Sequence, residues 1–580
     1  MMKKFNVCMS LLFAALIGWQ VQQHIPYQLC QLEHTNLFVG DWDCFVPFLE
    51  RMGGFGRWAG TWGMQFFDET VTGVGAFAMP VVLLFVVMAG LMRNLGKSMS
   101  VWIPWATSVS VCQLLSLYDH NFYWSGALAM FFALAGVWLV SLFKEPVRGW
   151  LFLLGIPVVV WGWGASACMY VLSGIILFAK KEKWLMTMIV PMAVYVSTIA
   201  IIHFTGMVAD IGFILSPVCY YESISEMPVY HWTTWGATLL CLLLARGVMY
   251  VSWKKPVTDW AICCAGWLIP SALLVQTAGN FCNTSNQDIW RLNHHAYMED
   301  WDAILDFVSD KPMNNYLFMN YANLALANKG ELANRAFHYY PKGMNSLLTT
   351  VNSTGTVRLL ASDIHYTVGC IAEAQQHAFE AQVTFPQSMG IQTMKRLVKT
   401  NLIFGHHAVA EKYLSLIAQT TFHKEWAQKY SRFLFNDQAI EADAELGEKR
   451  RSLSQRNRFA MFYGWTPELQ DILEVNPENR QAKEYLGLSY LMNKDLKGFQ
   501  LFLDKHYGTK KDRTLPLSFQ QAVMALDQPD KVEEYNVSAA VKEQYGQFMR
   551  QYAQNRQNPN LKNVMHRSFG HTAWYYLIFV

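Results

Sequence analysis

The chain has 580 residues, 53% of them apolar, 14% aromatic and 15% charged, with a formal net charge of +3. An average soluble chain carries roughly 25% charged residues, so a disordered protein, a collagen-like one and a typical cytosolic enzyme are excluded, and +3 is too small a charge to argue for nucleic acid. The averages conceal a split: residues 1–280 hold 14 Lys/Arg and 13 Asp/Glu, whereas the other 300 residues hold 32 and 30. The expected architecture is all-α: a polytopic membrane domain over 1–279, followed by an α-solenoid over 280–580.

A membrane-spanning helix needs about 20 apolar residues. Such runs occur at 5–22, 72–92, 101–117, 122–143, 184–202, 232–252 and 257–278. A further stretch, 149–179, is longer than one pass and is interrupted by Gly162-Trp163-Gly164. Lys3/Lys4, Arg93/Lys97, Lys144/Arg148, Lys180/Lys181/Lys183 and Lys254/Lys255 punctuate the runs. Basic residues favour the cytoplasmic side, which places both ends of 149–179 inside. This stretch is therefore expected to be a helical hairpin, either two short passes or a re-entrant pair. The topology is then about nine spans, with the N-terminus inside and everything after about 279 outside. Residues 1–22 have the look of a signal peptide, but Gly18-Trp19-Gln20 is a poor cleavage site, and the segment is expected to stay.

Eleven cysteines include no C-x-x-C pair, so neither a zinc ribbon nor a thioredoxin-like motif is present. Cys30 and Cys44 share the first external loop and are either two free thiols or a disulfide. That loop, 23–71, is the most informative segment of the membrane half. It starts with acids, Glu33-His34 and then Asp41-Trp42-Asp43, and continues with interleaved aromatics and glycines through Trp58, Trp62, Phe66 and Phe67. This pattern suggests an amphipathic segment in the membrane interface. Carboxylates at that depth suit attack on a lipid-phosphate sugar. One acts as general base on an acceptor hydroxyl, others hold a divalent metal through oxygen, and Arg51 or Arg57 pairs with the phosphate. His120, in Asp119-His120-Asn121, reads as a tight turn; His203, Asp210 and Tyr220-Tyr221-Glu222 are candidates for the same vestibule. Arg246, low in its span, is expected to snorkel to the cytoplasmic side.

From about 297 onward apolar residues recur at helical spacing. Residues 314–329 read as one helix, broken by Gly330, and Glu331 begins the next. Ala374, Ala378, Ala381 and Pro386 reproduce the second-helix spacing and terminating proline of a tetratricopeptide repeat, and Leu486-Gly487-Leu488-Ser489-Tyr490 its first-helix signature. Three to five degenerate pairs are expected, with a concave face able to bind partners. The neighbours in His294-His295 and in His406-His407 point apart on a helix, so no metal site is expected there. The apolar tail, Phe569 to Val580, is expected to dock on the repeats or on the membrane surface.

The membrane half resembles the glycosyltransferase-C fold: many spans, a first external loop with acids just past the first span, and an interfacial helix in that loop. The resemblance implies that Glu33, then Asp41 and Asp43, serve as base or metal ligand, with Mg or Mn the implied ion. The whole chain also resembles an uncharacterised family of polytopic proteins from Bacteroidota. This rests on Glu33-His34-Thr35-Asn36-Leu37-Phe38, Gly53-Gly54 with Gln65-Phe66-Phe67, Asn314-Asn315-Tyr316-Leu317, Lys329-Gly330-Glu331-Leu332-Ala333, Ala378-Phe379-Glu380-Ala381, Ala410-Glu411-Lys412-Tyr413-Leu414 and the Phe569-Gly570 to Tyr576 tail. That resemblance implies a Gram-negative inner membrane and a periplasmic C-terminal domain. In architecture the chain is similar to eukaryotic protein O-mannosyltransferases that fuse such spans to repeats. The function expected is transfer of a sugar from a polyprenyl-phosphate donor to a periplasmic protein or glycan acceptor. The alternative is a non-catalytic envelope scaffold whose repeats bind protein partners. A transporter is disfavoured, because the span interiors lack paired ionisable groups.

Overall fold

The structure is a computed structural model. It describes the chain apart from residues 1, 96–100, 180–183, 207, 209, 223–224, 249–255, 312, 351, 353, 386–388, 455–463, 509–513 and 527. Lys97, the Lys180/Lys181/Lys183 cluster, Lys254/Lys255 and Pro386 therefore lie outside the described residues. The described chain is helical, with a single isolated bridge between Phe122 and Tyr221. It divides into two compact units, Met1–Asp288 and Ile289–Val580.

In the first unit the helices are α1 (Met2–His24), α2 (Pro26–His34), α3 (Trp42–Leu49), α4 (Gly54–Met64), α5 (Val71–Leu95), α6 (Thr107–Leu117), α7 (Trp124–Ser141), α8 (Val147–Trp163), α9 (Ala167–Phe178), α10 (Trp184–Phe204), α11 (Ile211–Leu215), α12 (Thr233–Val248) and α13 (Pro256–Phe281). Among the described residues six apolar segments are long enough to cross a membrane, counting Val147–Phe178 as one. The protein is thus membrane-spanning. Packing shows that 147–178 turns back on itself. The Phe152 ring lies 5.2 Å from Tyr170 and 5.3 Å from Phe178, and Arg148 sits 5.1 Å over the Phe178 ring. The turn is at Gly164, whose φ of +71° suits glycine. The arms hold 17 and 12 residues, about 25 Å and about 18 Å of helix, against a hydrocarbon core roughly 30 Å thick.

Tyr220 locks this turn. Its hydroxyl donates to the Trp163 carbonyl and accepts from the Ser166 N–H at 2.9 Å, with Ser166 Oγ at 3.0 Å. At the other end Arg246, half-exposed, donates through its guanidinium to the Ile176 and Ala179 carbonyls. The last carbonyls of a helix have no intrahelical donor, and a cation at that end is doubly favoured.

The second unit is built from helical pairs that share one turn. They are α14 (Thr284–Tyr297) with α15 (Trp301–Ser309), α16 (Tyr316–Lys329) with α17 (Leu332–Arg335), α18 (Gly355–Val368) with α19 (Ile371–Thr384), and α20 (Ile391–Phe404) with α21 (His407–Ala418). Two later pairs are Arg480–Met492 with Leu496–His506, and Pro529–Glu534 with Ala539–Gln554. At each turn a residue with positive φ (Glu299, Gly330, Gly369, Gly405, Lys494 or Asn536) ends the first helix. The next N–H then reaches back five residues, as from Glu331 to Leu326 and from His406 to Asn401, both 2.8 Å. This is the Schellman stop. Ala374, Ala378 and Ala381 are fully buried, as their spacing predicts. The apolar tail packs within this unit: Trp574 Nε1 donates to the Gln521 carbonyl (2.6 Å) and the Tyr576 hydroxyl to the Met492 carbonyl (2.7 Å).

Candidate functional site

The first-loop residues are spread over three short elements. Glu33 ends α2, 3.7 Å from His34 Nε2. It joins Glu69 and Asp68 around Cys30, whose thiol is pushed up to about 12 by burial and by these three acids. Asp41 is the exposed N-cap of α3, accepting the Trp42 N–H at 2.7 Å, and Asp43 is exposed in the first turn of that helix. Asp41 stands outside the helix as its extended N-cap and Asp43 within its first turn; among the described residues neither belongs to a group of three or more potential metal ligands. Arg51 is exposed just past α3. Arg57 lies on α4, close enough to Tyr123 and Cys219 for its charge to act on both. Cys30 and Cys44 are free thiols.

The glycines of this loop do more than spread an interfacial segment. Gly56, Gly60 and Gly63 form one face of α4, against Trp163, Ser125 and Trp124 respectively. A Cβ at Gly56 would stand 2.9 Å from the Trp163 ring, and one at Gly60 3.0 Å from Ser125. Small residues let helices approach this closely. Trp62 and Phe66 remain outward, at 48% and 37% exposure, while Phe67 is turned into the core, 5.1 Å from the Trp124 ring and 5.4 Å from Phe77. The Asp119 turn is also more than a turn. Asp119 accepts from the Tyr221 hydroxyl (2.7 Å), the Tyr230 hydroxyl (3.0 Å) and the Asn121 N–H (3.0 Å), and sits 3.1 Å from His231 Nε2. Burial alone would raise its pKa, but these partners together hold it well below the usual carboxylate range. Asp210 caps α11 through the Gly212 N–H (2.8 Å), and His203 Nδ1 is 3.1 Å from the Val208 carbonyl. Neither is drawn to Asp119 by any contact described.

A cavity lined by charged and aromatic side chains lies in the second unit. It encloses about 670 Å³, within the roughly 300–1,000 Å³ of small-ligand pockets. Gln392, Lys395, Arg396 and Lys399 line it from α20. Their spacing of three and four places them on one helical stripe. Opposite stand Asp363 and Tyr366 of α18, Tyr297 at the end of α14, Trp301 at the start of α15, and Trp426. Arg396 pairs with Asp363 at 2.7 Å and lies 3.8 Å over the Tyr366 ring. Burial raises the Asp363 pKa, opposed by Arg396. Lys399 and the Tyr366 hydroxyl both donate to Glu445, at 2.7 Å and 2.8 Å. Burial pushes that carboxyl up, but Lys399, Tyr366 and Arg396 together outweigh it and the net direction is down. Lys395 donates to the Tyr297 hydroxyl (2.5 Å) and lies over the Tyr297 and Trp426 rings, at 4.9 Å and 5.4 Å.

Sequence reasoning passed over this cavity. Its one local signal is Lys395-Arg396-Leu397-Val398-Lys399, which puts three basic residues on one turn of helix beside two apolar ones. The fold and cavity together define an all-helical membrane-spanning protein with a charged, aromatic-lined pocket in its C-terminal unit. The chain belongs to the family described as "Family of unknown function (DUF6057)", whose model matches residues 1–580, which agrees with its whole-chain resemblance to an uncharacterised family. No curated protein and no solved structure matches it.

Proposed function

We propose that the protein is a polytopic bacterial inner-membrane protein whose periplasmic, tetratricopeptide-like unit binds an acidic segment of a protein partner. The observation that carries this reading is the cavity, where three basic residues on one stripe of α20 stand among Tyr297, Tyr366 and Trp426. Arg396 and Lys399 already pair with Asp363 and Glu445, so Lys395, over the Tyr297 and Trp426 rings, is the group that meets a partner's carboxylate. Helical-pair arrays present concave faces of this kind. In this reading the membrane helices, about nine spans with the N-terminus in the cytoplasm, hold the unit at the membrane. The test is site-specific photocrosslinking in cells from position 426. One adduct of defined mass, lost with Lys395→Glu, is expected; no adduct, or one indifferent to Lys395→Glu, rejects the reading.

A second reading is the glycosyltransferase-C-like one, in which Glu33 acts as base on a periplasmic protein or glycan acceptor and the sugar comes from a polyprenyl-phosphate lipid. The position of Glu33 in α2, directly after the first apolar helix, favours it. Its test is Glu33→Gln beside Asp43→Asn, with envelope glycans profiled by mass spectrometry. Loss of a glycan in Glu33→Gln supports it. Profiles of both variants that match wild type, when a full deletion does not, reject it.

A further inference from the structure

The turn between α18 and α19 gathers side chains that neither the cavity nor the membrane helices use. Gly369, at φ +96°, ends α18, and the Cys370 N–H reaches back to the His365 carbonyl at 2.8 Å. This stop brings His365 and Cys370 together. Cys370 then flanks the start of α19, and Glu373 is three residues on. Side chains at these two positions face each other across the first turn of a helix. Glu468 approaches from the first turns of the helix Trp465–Val475.

One ligand atom from each of His365, Cys370, Glu373 and Glu468 lies within 4.8 Å of the other three. Cys370 Sγ is 3.9 Å from Glu468 Oε2, and His365 Nδ1 is 4.0 Å from the same oxygen. His365 and Cys370 are each 5% exposed. His365 Nδ1 is buried with no hydrogen-bond partner. A buried polar atom left unsatisfied is costly, and here its nearest carboxylate is too distant to bond. The Trp465 ring closes the site on one side, edge-on to the imidazole at 4.9 Å.

One sulfur, one imidazole and two carboxylates do not suit Mg²⁺ or Ca²⁺, which take oxygen ligands. They suit Zn²⁺. Bonds of about 2.0–2.3 Å in a tetrahedron put neighbouring ligand atoms about 3.3–3.8 Å apart. The four groups reach that by closing up to about 1 Å, within the range of small side-chain rotations. We propose that His365, Cys370, Glu373 and Glu468 bind one Zn²⁺ ion, which ties the α18–α19 turn to the helix Trp465–Val475. Binding displaces the Cys370 thiol proton to solvent, and the thiolate and both carboxylates face the ion. Four protein ligands fill its coordination shell, so the ion acts as a structural clasp rather than a catalyst.

The test uses the full chain in detergent, stripped with a chelator and titrated with Co²⁺ as a coloured stand-in. Wild type is expected to bind one ion per chain, with tetrahedral visible bands and a thiolate-to-cobalt charge-transfer band, both erased by Zn²⁺. Cys370→Ser removes the charge-transfer band; Cys282→Ser, in the first unit, keeps it. Should Cys370→Ser fail to fold, Glu373→Gln carries the test: the band is kept, and affinity for Zn²⁺ falls by at least about tenfold. Cobalt bound without the charge-transfer band overturns the proposal. So does a band that survives Cys370→Ser, or Zn²⁺ affinity unchanged by Glu373→Gln.

Discussion

The two units use similar helices and are held by opposite means. In the first, side chains are removed where helices meet: Gly56, Gly60 and Gly63 admit the Trp163 ring, Ser125 and the Trp124 ring. In the second, charge is brought in, as in the stack of Tyr366, Arg396 and Asp363 and the triad of Tyr366, Lys399 and Glu445. Surroundings explain the difference. Lipid is as apolar as leucine, so helices in a membrane gain from close van der Waals packing rather than from exclusion of water. A water-facing array already has the hydrophobic effect for its core, and its buried polar groups select one arrangement over others. Buried ion pairs are therefore poor evidence of stability in themselves, but costly to break from one side.

That contrast can be broken most severely at Arg396. Arg396→Ala leaves Asp363 without its partner, and a loss of about 3–5 kcal/mol is expected in the second unit, read by hydrogen exchange on the full chain in detergent. The double change Arg396→Met with Asp363→Leu restores most of it if pairing specifies the fold rather than stabilising it. In the first unit, Gly63→Val drives a branched side chain into the Trp124 ring, with an expected cost of about 1–3 kcal/mol, seen as a lower thermal midpoint. Asp119→Asn keeps the shape but removes the charge that three donors address, for an expected loss of about 1.5–3 kcal/mol, measured the same way. The smallest effect is a pH slope. Burial, helped by Lys505 and Lys483, lowers His506 from 6.5 to about 4. The unfolded chain therefore binds a proton that the folded one refuses. Its contribution is complete above pH 6.5 and fades as pH falls toward 4. His506→Gln is expected to flatten that part of the stability curve; an unchanged slope would show that His506 is freely protonated in the fold.

Much of the helical plan is legible in the chain. The apolar runs, the break at Gly330, the hairpin at Gly162-Trp163-Gly164 and the buried faces of α18 and α19 all follow from period and from turn chemistry. The candidate sites are less so. Gly56, Gly60 and Gly63 look like punctuation among aromatics, because the sequence does not say which rings will meet them. The Asp119 hub needs Tyr221, Tyr230 and His231 from another loop. Cys370 is the lone cysteine after residue 282, with His365 and Glu373 close by, but Glu468 is supplied by the helix Trp465–Val475, 98 residues on. Arg246 reads only as a lone cation low in its span, because the two bare carbonyls that it meets belong to the end of α9, some 70 residues earlier.

The phenol of Tyr220 closes a turn made some 54 residues before it. During synthesis the arms α8 and α9 leave the ribosome first, and their apex has no permanent acceptor or donor until that tyrosine arrives. Early insertion of this hairpin is therefore provisional. Its apex is completed only by a residue that follows two further helices, α10 and α11.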